Sequence, residues 1–67
     1  MSSAIRPASD SAKAFLRQLN CDTVNAAIEF VKDREVFVVF RCYGTVLASR
    51  WIRLDDEDWV VDLACAA

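Results

Sequence analysis

The most distinctive chemical feature of the sequence is a cluster of acidic side chains close to the C-terminus. Residues 54–67 contain five acids and no base, whereas residues 1–53 contain eight bases and five acids. The five acids of the C-terminal segment are Asp55, Asp56, Glu57, Asp58 and Asp62. In an extended strand, Asp62 lies on the same face as Asp58 and roughly 13 Å further along. Carboxylates without counter-ions repel one another, so this cluster requires neighbouring cations, solvent or a basic partner.

Two interpretations of the acidic run are open. In the first, Arg50 and Arg53 pair with Asp62 and Asp58 across a hairpin, and the rest of the run is solvated; such exposed pairs contribute about 0–1 kcal/mol each. In the second, the run binds a basic surface of a protein or nucleoprotein complex, and Trp59 and Trp51 supply the aromatic anchor. The second interpretation predicts a partner-binding site made of Asp55, Asp56, Glu57, Asp58, Trp59 and Asp62.

The residue types in the sequence give little support for a catalytic site, a cofactor site or a metal site. The chain has no histidine, so the commonest general base and the commonest metal ligand are both absent. Its single glycine, Gly44, excludes a glycine-rich phosphate loop or a dinucleotide fingerprint. The run 55–58 is contiguous and contains no glycine, unlike a calcium-binding EF-hand loop. We therefore predict a protein that is not an enzyme and that uses no cofactor and no metal.

The cysteines and the N-terminus predict the cellular location. Cys21, Cys42 and Cys65 do not have the spacing of zinc ligands, and three cysteines cannot all pair within one chain. We interpret them as reduced, half-buried apolar residues of a cytosolic protein. No signal peptide is recognisable at the N-terminus, and no apolar run is long enough to span a bilayer. These features predict a cytoplasmic protein without membrane contact.

Hydrophobic periodicity predicts two helices after a flexible arm of residues 1–8. Ala12, Phe15, Leu16 and Leu19 follow helical spacing and predict a helix over 10–20. Its N-cap is Ser9 or Asp10, and Asn20 suits its exit. Helical spacing recurs at once, at Val24, Ala27, Ile28 and Val31, and predicts a second helix over 23–33.

Beyond Arg34 the pattern changes to alternation, which is typical of strands. Residues 35–43, 45–54 and 58–65 are three strand candidates joined by short connections, so they predict an antiparallel meander. In the last strand, Trp59, Val61, Leu63 and Cys65 lie on the inner face. The predicted fold class is therefore α+β, with two short N-terminal helices packed on a three-stranded meander, in a single small domain over residues 9–67.

The first predicted strand is apolar on both faces, so something must cover both of its sides. The helices could wrap around it, the N-terminal arm could fold back on it, or another copy of the chain could dock there. This last alternative predicts a homo-oligomeric structural or assembly subunit, whose homodimer contact uses Val36, Val38, Phe37 and Val39. The register of the following hairpin is open between a two-residue turn at Tyr43–Gly44 and a three-residue turn ending at Gly44.

A helix-turn-helix regulator is the alternative that the two predicted helices allow. The second helix would then read DNA, and Arg6, Lys13, Arg17 and Lys32 would form the basic face. Two of the exposed side chains of that helix, Glu29 and Asp33, are acids that would face phosphates. A gel shift with duplex DNA at low salt tests this alternative.

The chain resembles small phage-borne inhibitors, among them anti-CRISPR proteins. The resemblance consists of its size, its compact α/β layout, its lack of catalytic residues and its acidic stretch Asp55-Asp56-Glu57-Asp58-Trp59-Val60-Val61-Asp62. Some of those inhibitors imitate nucleic acid in charge and occupy the DNA-binding channel of a bacterial defence complex. The resemblance implies a partial DNA mimic, in which carboxylates take the place of phosphates against the target's arginines and lysines. The net charge of only −2 limits such mimicry to one side of the molecule.

Overall fold

The structure is a computed structural model that describes residues 3–63 and contains, within that range, one helix and five strands. The elements are β1 (Ala4–Pro7), α1 (Asp10–Gln18), β2 (Val24–Lys32), β3 (Glu35–Cys42), β4 (Thr45–Arg53) and β5 (Trp59–Asp62). Strands β2, β3 and β4 form an antiparallel sheet in that order, the large sheet, and β1 pairs with β5 in a small sheet. The fold is α+β, but the prediction of two helices on a three-stranded meander is wrong.

The first predicted helix is confirmed as α1. The Ser9 hydroxyl caps it by accepting a hydrogen bond from the Ala12 N–H at 3.1 Å. Asn20 adopts a left-handed φ of 56° just after the helix, a conformation that asparagine tolerates well. The predicted apolar stripe packs inward, with Ala12 buried and the others lying against the core.

The second predicted helix, residues 23–33, forms strand β2 instead. This segment is rich in β-branched and aromatic residues, which favour strands. It also pairs along its whole length with β3, the central strand of the large sheet. Tertiary pairing therefore overrides the helical spacing. Because no helix follows α1 within the described residues, the helix-turn-helix alternative loses its recognition helix.

A β-bulge explains why the spacing of β2 was misleading. Ile28 pairs with Val38, whereas Phe30 pairs with Phe37, so Glu29 is an extra residue without a direct partner. The extra residue moves everything after it to the opposite face of the sheet. The alternation of apolar residues is therefore interrupted in mid-strand, and the broken pattern imitates helical spacing.

The hairpin between β3 and β4 closes with the two-residue turn. Cys42 pairs with Thr45, which leaves Tyr43 and Gly44 as the turn residues, with φ values of 50° and 84°. Two positive φ angles are typical of the tight turns whose twist matches that of antiparallel strands. A second bulge, at Leu47, follows in β4.

The third predicted strand does not join β4. After β4 the chain turns, with the Asp56 N–H donating to the Arg53 carbonyl at 3.1 Å, and leaves the large sheet. Strand β5 then pairs with β1, so residues 4–7, predicted as part of a flexible arm, supply its antiparallel partner. The Ala8 N–H extends this pairing by donating to the Asp58 carbonyl at 2.7 Å. The predicted strand residues 64 and 65 lie outside the described part of the chain.

The core lies between the large sheet on one side and α1 with the small sheet on the other. Trp59, Val61 and Leu63 face it, as the alternation of the last strand predicts. The Phe40 ring lies 5.2 Å from that of Phe15 and 5.7 Å from that of Trp59, measured between centroids. This aromatic cluster joins α1, β3 and β5 in one apolar contact.

A disulfide joins Cys21, in the connection after α1, to Cys42, at the end of β3. The two Cα atoms are 6.4 Å apart, within the usual range for a bridge. The prediction that these two cysteines are reduced is therefore wrong. Sequence spacing alone could not reveal the pair, because only the return of β2 along β3 brings the two ends together. The third cysteine, Cys65, lies outside the described residues.

Candidate interaction surface

The acidic run forms the turn between β4 and β5, and its first two acids are already engaged. Asp55 makes a two-pronged contact with Arg53, whose Nε and Nη2 each lie 3.1 Å from a carboxylate oxygen. The Asp56 Oδ1 accepts a hydrogen bond from the Asp58 N–H at 2.8 Å, which stabilises the turn. These two carboxylates shape the connection, and a basic partner would have to compete with their contacts inside the chain.

The other predicted site residues are spread over the small sheet. Glu57 is exposed in the turn, and Asp58 is half-buried. Asp62 is exposed at the far end of β5, opposite Ala4. Trp59 is only 4% exposed and belongs to the core, so it cannot anchor a partner. The structure therefore brings together the acids 55–58, but Asp62 lies at the far end of β5 and the ring of Trp59 is buried.

The arginines expected to neutralise the run have other contacts. Arg53 pairs with Asp55, not with Asp58. The Arg50 guanidinium lies 5.3 Å from the centroid of the Phe15 ring, in a cation–π contact on the core side of the large sheet. The predicted pairing of Arg50 with Asp62 is therefore absent.

A different surface, on the open side of the large sheet, carries a row of aromatic rings. Strand register places Phe30, Phe37 and Trp51 side by side across β2, β3 and β4. The ring centroids are 5.9 Å apart between Phe30 and Phe37, and 5.2 Å apart between Phe37 and Trp51. Phe30 is 63% exposed and Trp51 is 45% exposed. We call these three residues, with their row neighbours Ala27, Val39 and Ser49, the outer face.

Charged side chains border the outer face at both ends of the strands. Near one end, Arg41 extends towards Glu29, the bulge residue in the middle of β2, and its Nη2 lies 3.2 Å from the Glu29 Oε1. At the other end, Lys32, Glu35 and Arg53 occupy neighbouring register positions. Each end thus combines cations with anions.

The part of this surface that lies on β3 was predicted from the sequence. The apolar character of both faces of the first predicted strand indicated that something covers each of them. Of the four residues predicted for a dimer contact, Val36 and Val38 lie in the core and Val39 is only 6% exposed, so Phe37 alone retains accessible surface. Trp51 was predicted as an aromatic anchor, but beside the acidic run and not in this row. Phe30 was missed because the bulge at Glu29 decides on which face its ring lies.

Two further properties concern the described residues only. No group of three or more histidine, cysteine, aspartate or glutamate side chains within residues 3–63 is placed to hold a metal ion. Within the same range, no helix has the length and apolar character needed to cross a membrane.

Comparison of the chain with protein families, with curated proteins and with solved structures found no match.

Proposed function

We propose that this protein is a small, non-enzymatic interaction protein that works as a homodimer, with the outer face as its contact surface. The observation that carries the proposal is the row of Phe30, Phe37 and Trp51, which lies exposed on a sheet face that no other element covers among the described residues. Clusters of exposed aromatic rings are typical of protein–protein contacts, where they supply most of the binding energy.

The charges around the outer face favour a second copy over nucleic acid. A surface that binds single strands through aromatic stacking also needs an excess of cations along the backbone path. Here each border cation has an acid beside it: Arg41 pairs with Glu29, Arg53 pairs with Asp55 of the following turn, and Lys32 lies opposite Glu35. A balanced border matches another surface of the same composition, as an isologous dimer requires.

Strand register gives this dimer a specific geometry. A two-fold axis across the strands at Val38 places the aromatic row of one copy over the row of Ala27, Val39 and Ser49 of the other. The exposed rings of Phe30 and Trp51 then meet the small side chains of Ala27 and Ser49, which favours close packing. The same axis places Glu35 over Arg41 of the second copy, so the borders are complementary in charge.

The oligomeric state tests the proposal. Size-exclusion chromatography with light scattering should give a mass near twice the 7.5 kDa of the chain, approached as concentration rises. Trp51→Glu should give the monomer mass because it places a charge within the contact. The matched control is Tyr43→Asn. It removes an aromatic ring that is more exposed than Trp51 but lies in the β3–β4 turn, outside the outer face. Asparagine also tolerates the positive φ of this position.

Charge reversal tests the axis. Glu35→Arg or Arg41→Glu alone should weaken the dimer, and the double reversal should restore part of the affinity. A wild-type chain that stays monomeric into the millimolar range, or a Trp51→Glu variant as dimeric as the wild type, would contradict the proposal.

The partial DNA mimic of the anti-CRISPR type is the second candidate function. It retains Glu57 and Asp62, which are exposed acids with no ion pair among the described residues. With Asp55 and Asp56 engaged locally, the anionic surface is smaller than the sequence suggests. Binding to an arginine-rich peptide that weakens steeply with salt, and that is lost in Glu57→Gln/Asp62→Asn, is the expected result. Equal binding by that variant would exclude this role.

The location of the protein is linked to its disulfide. The cytoplasm remains the location predicted from the sequence, but cytosolic thiols keep cysteine pairs reduced. The Cys21–Cys42 disulfide favours an oxidising compartment instead. Alkylation of free thiols in intact cells, followed by mass analysis of the chain, distinguishes the two locations.

A further inference from the structure

A small open cavity lies beside the disulfide, between the C-terminal half of α1 and the start of β2. Its volume is about 230 Å³, and its walls are formed by Leu16, Arg17, Cys21, Asp22 and Val24. Cys21 is therefore reached from the cavity, whereas its partner Cys42 is not part of the lining. Both cysteines are half-buried, so the bridge is neither sealed in the core nor fully open to solvent.

We propose that this cavity is a thiol-exchange site, in which a small anionic thiol such as glutathione attacks the sulfur of Cys21. Thiol–disulfide exchange needs access of a thiolate to one sulfur of the bridge, and Cys21 is the half of the bridge that lines the cavity. The exposed Arg17 at the cavity wall supplies the positive charge that attracts the anion, while Asp22 on the same wall opposes it.

The reaction balances without any further reagent. The thiolate sulfur of glutathione forms a bond to the Sγ of Cys21, and the bond between the two cysteine sulfurs breaks. Cys42 leaves as a thiolate and takes a proton from solvent, so its sulfur is reduced while that of glutathione is oxidised. The product carries a glutathione mixed disulfide on Cys21 and a free thiol on Cys42.

The position of the adduct tests the proposal. The full-length Cys65→Ser chain is treated with reduced glutathione under native conditions, quenched with acid, and cleaved after its basic residues. Mass analysis should find glutathione mainly on the peptide that contains Cys21 and the free thiol on the peptide that contains Cys42. Equal labelling of the two peptides would mean that exchange occurs in the unfolded chain, and labelling mainly on Cys42 would place the attack elsewhere; both results would overturn the proposal.

The rate of exchange tests the role of the cavity wall. Arg17→Gln should lower the second-order rate constant roughly two- to five-fold at low salt, and Asp22→Asn should raise it by a similar factor. Lys13→Gln is the matched control, because it removes an exposed cation from the same helix but outside the cavity. Both effects should shrink in high salt. Equal rates for Arg17→Gln and Lys13→Gln at low salt would contradict an electrostatic role of the cavity.

Discussion

Phe40 and Trp51 lie on neighbouring strands of the large sheet and differ in what surrounds them. Phe40 is fully buried between the rings of Phe15 and Trp59, whereas Trp51 lies on the outer face. Side-chain truncation in a core removes transfer free energy and leaves a cavity, but truncation on an open face does neither to the same extent.

Phe40→Ala should therefore lower the free energy of unfolding by about 3–5 kcal/mol, close to the whole stability of a chain of this length. Trp51→Ala should change it by less than about 1 kcal/mol in the monomer. Urea unfolding followed by circular dichroism, at a concentration where the chain is monomeric, measures both. Similar losses for the two variants would show that the outer face is already covered within one chain.

The acidic run shows which site residues a sequence can reveal. Clustering of the acids 55–58 was predicted because neighbours in a tight turn cannot separate. Their engagement was not predicted, because the Arg53–Asp55 pair and the Asp56 turn depend on how the chain leaves β4. Trp59 was predicted both as part of an inner face and as an anchor. Its alternation with Val61 and Leu63 made the inner face the stronger of the two predictions.

At the scale of elements, β1 is the segment whose role differs most from its sequence pattern. Four residues around a single proline have no period to detect, and the strand forms because β5 offers an unpaired edge. Helix α1 was predictable because its apolar residues follow helical spacing behind the cap at Ser9. Strands β3 and β4 were predictable because β-branched and aromatic residues flank the turn at Gly44. In β2 the bulge at Glu29 interrupts the alternation, and the prediction failed there.

Ile5→Ala tests whether β1 contributes to the stability of the domain. Ile5 belongs to the core, so the variant should lose about 2–4 kcal/mol of unfolding free energy. Arg6→Ala, at the next and exposed position, should lose less than about 0.5 kcal/mol. Thermal unfolding monitored by circular dichroism compares the two variants. A silent Ile5→Ala would restore the interpretation of residues 1–8 as a flexible arm.

At the scale of the whole molecule, 67 residues build only a small core, and a covalent bridge compensates for it. The Cys21–Cys42 disulfide closes a loop with a sequence separation of 21, which restricts the unfolded chain. For a loop of that size the expected stabilisation is about 3 kcal/mol. Helix α1 is held near its C-terminal end by this bridge and along its length by apolar contacts.

Reduction should therefore lower the melting temperature by about 10–20 °C. The measurement is thermal unfolding with and without a phosphine reductant. The Cys21→Ser/Cys42→Ser variant is the control. Its melting temperature should be close to that of the reduced wild type and should not change when the reductant is added. An unchanged melting temperature on complete reduction would show that the bridge restrains the native and the unfolded chain equally.

The two tryptophans occupy opposite environments, one in the centre of the molecule and one on its open side. Their intrinsic fluorescence is consequently divided between two reporters: a blue-shifted emission from Trp59 that iodide cannot quench, and a red-shifted emission from Trp51 that it can. Unfolding exposes the first, and association of two chains shields the second. Tryptophan fluorescence of the unlabelled protein thus distinguishes unfolding of the chain from dissociation of two chains.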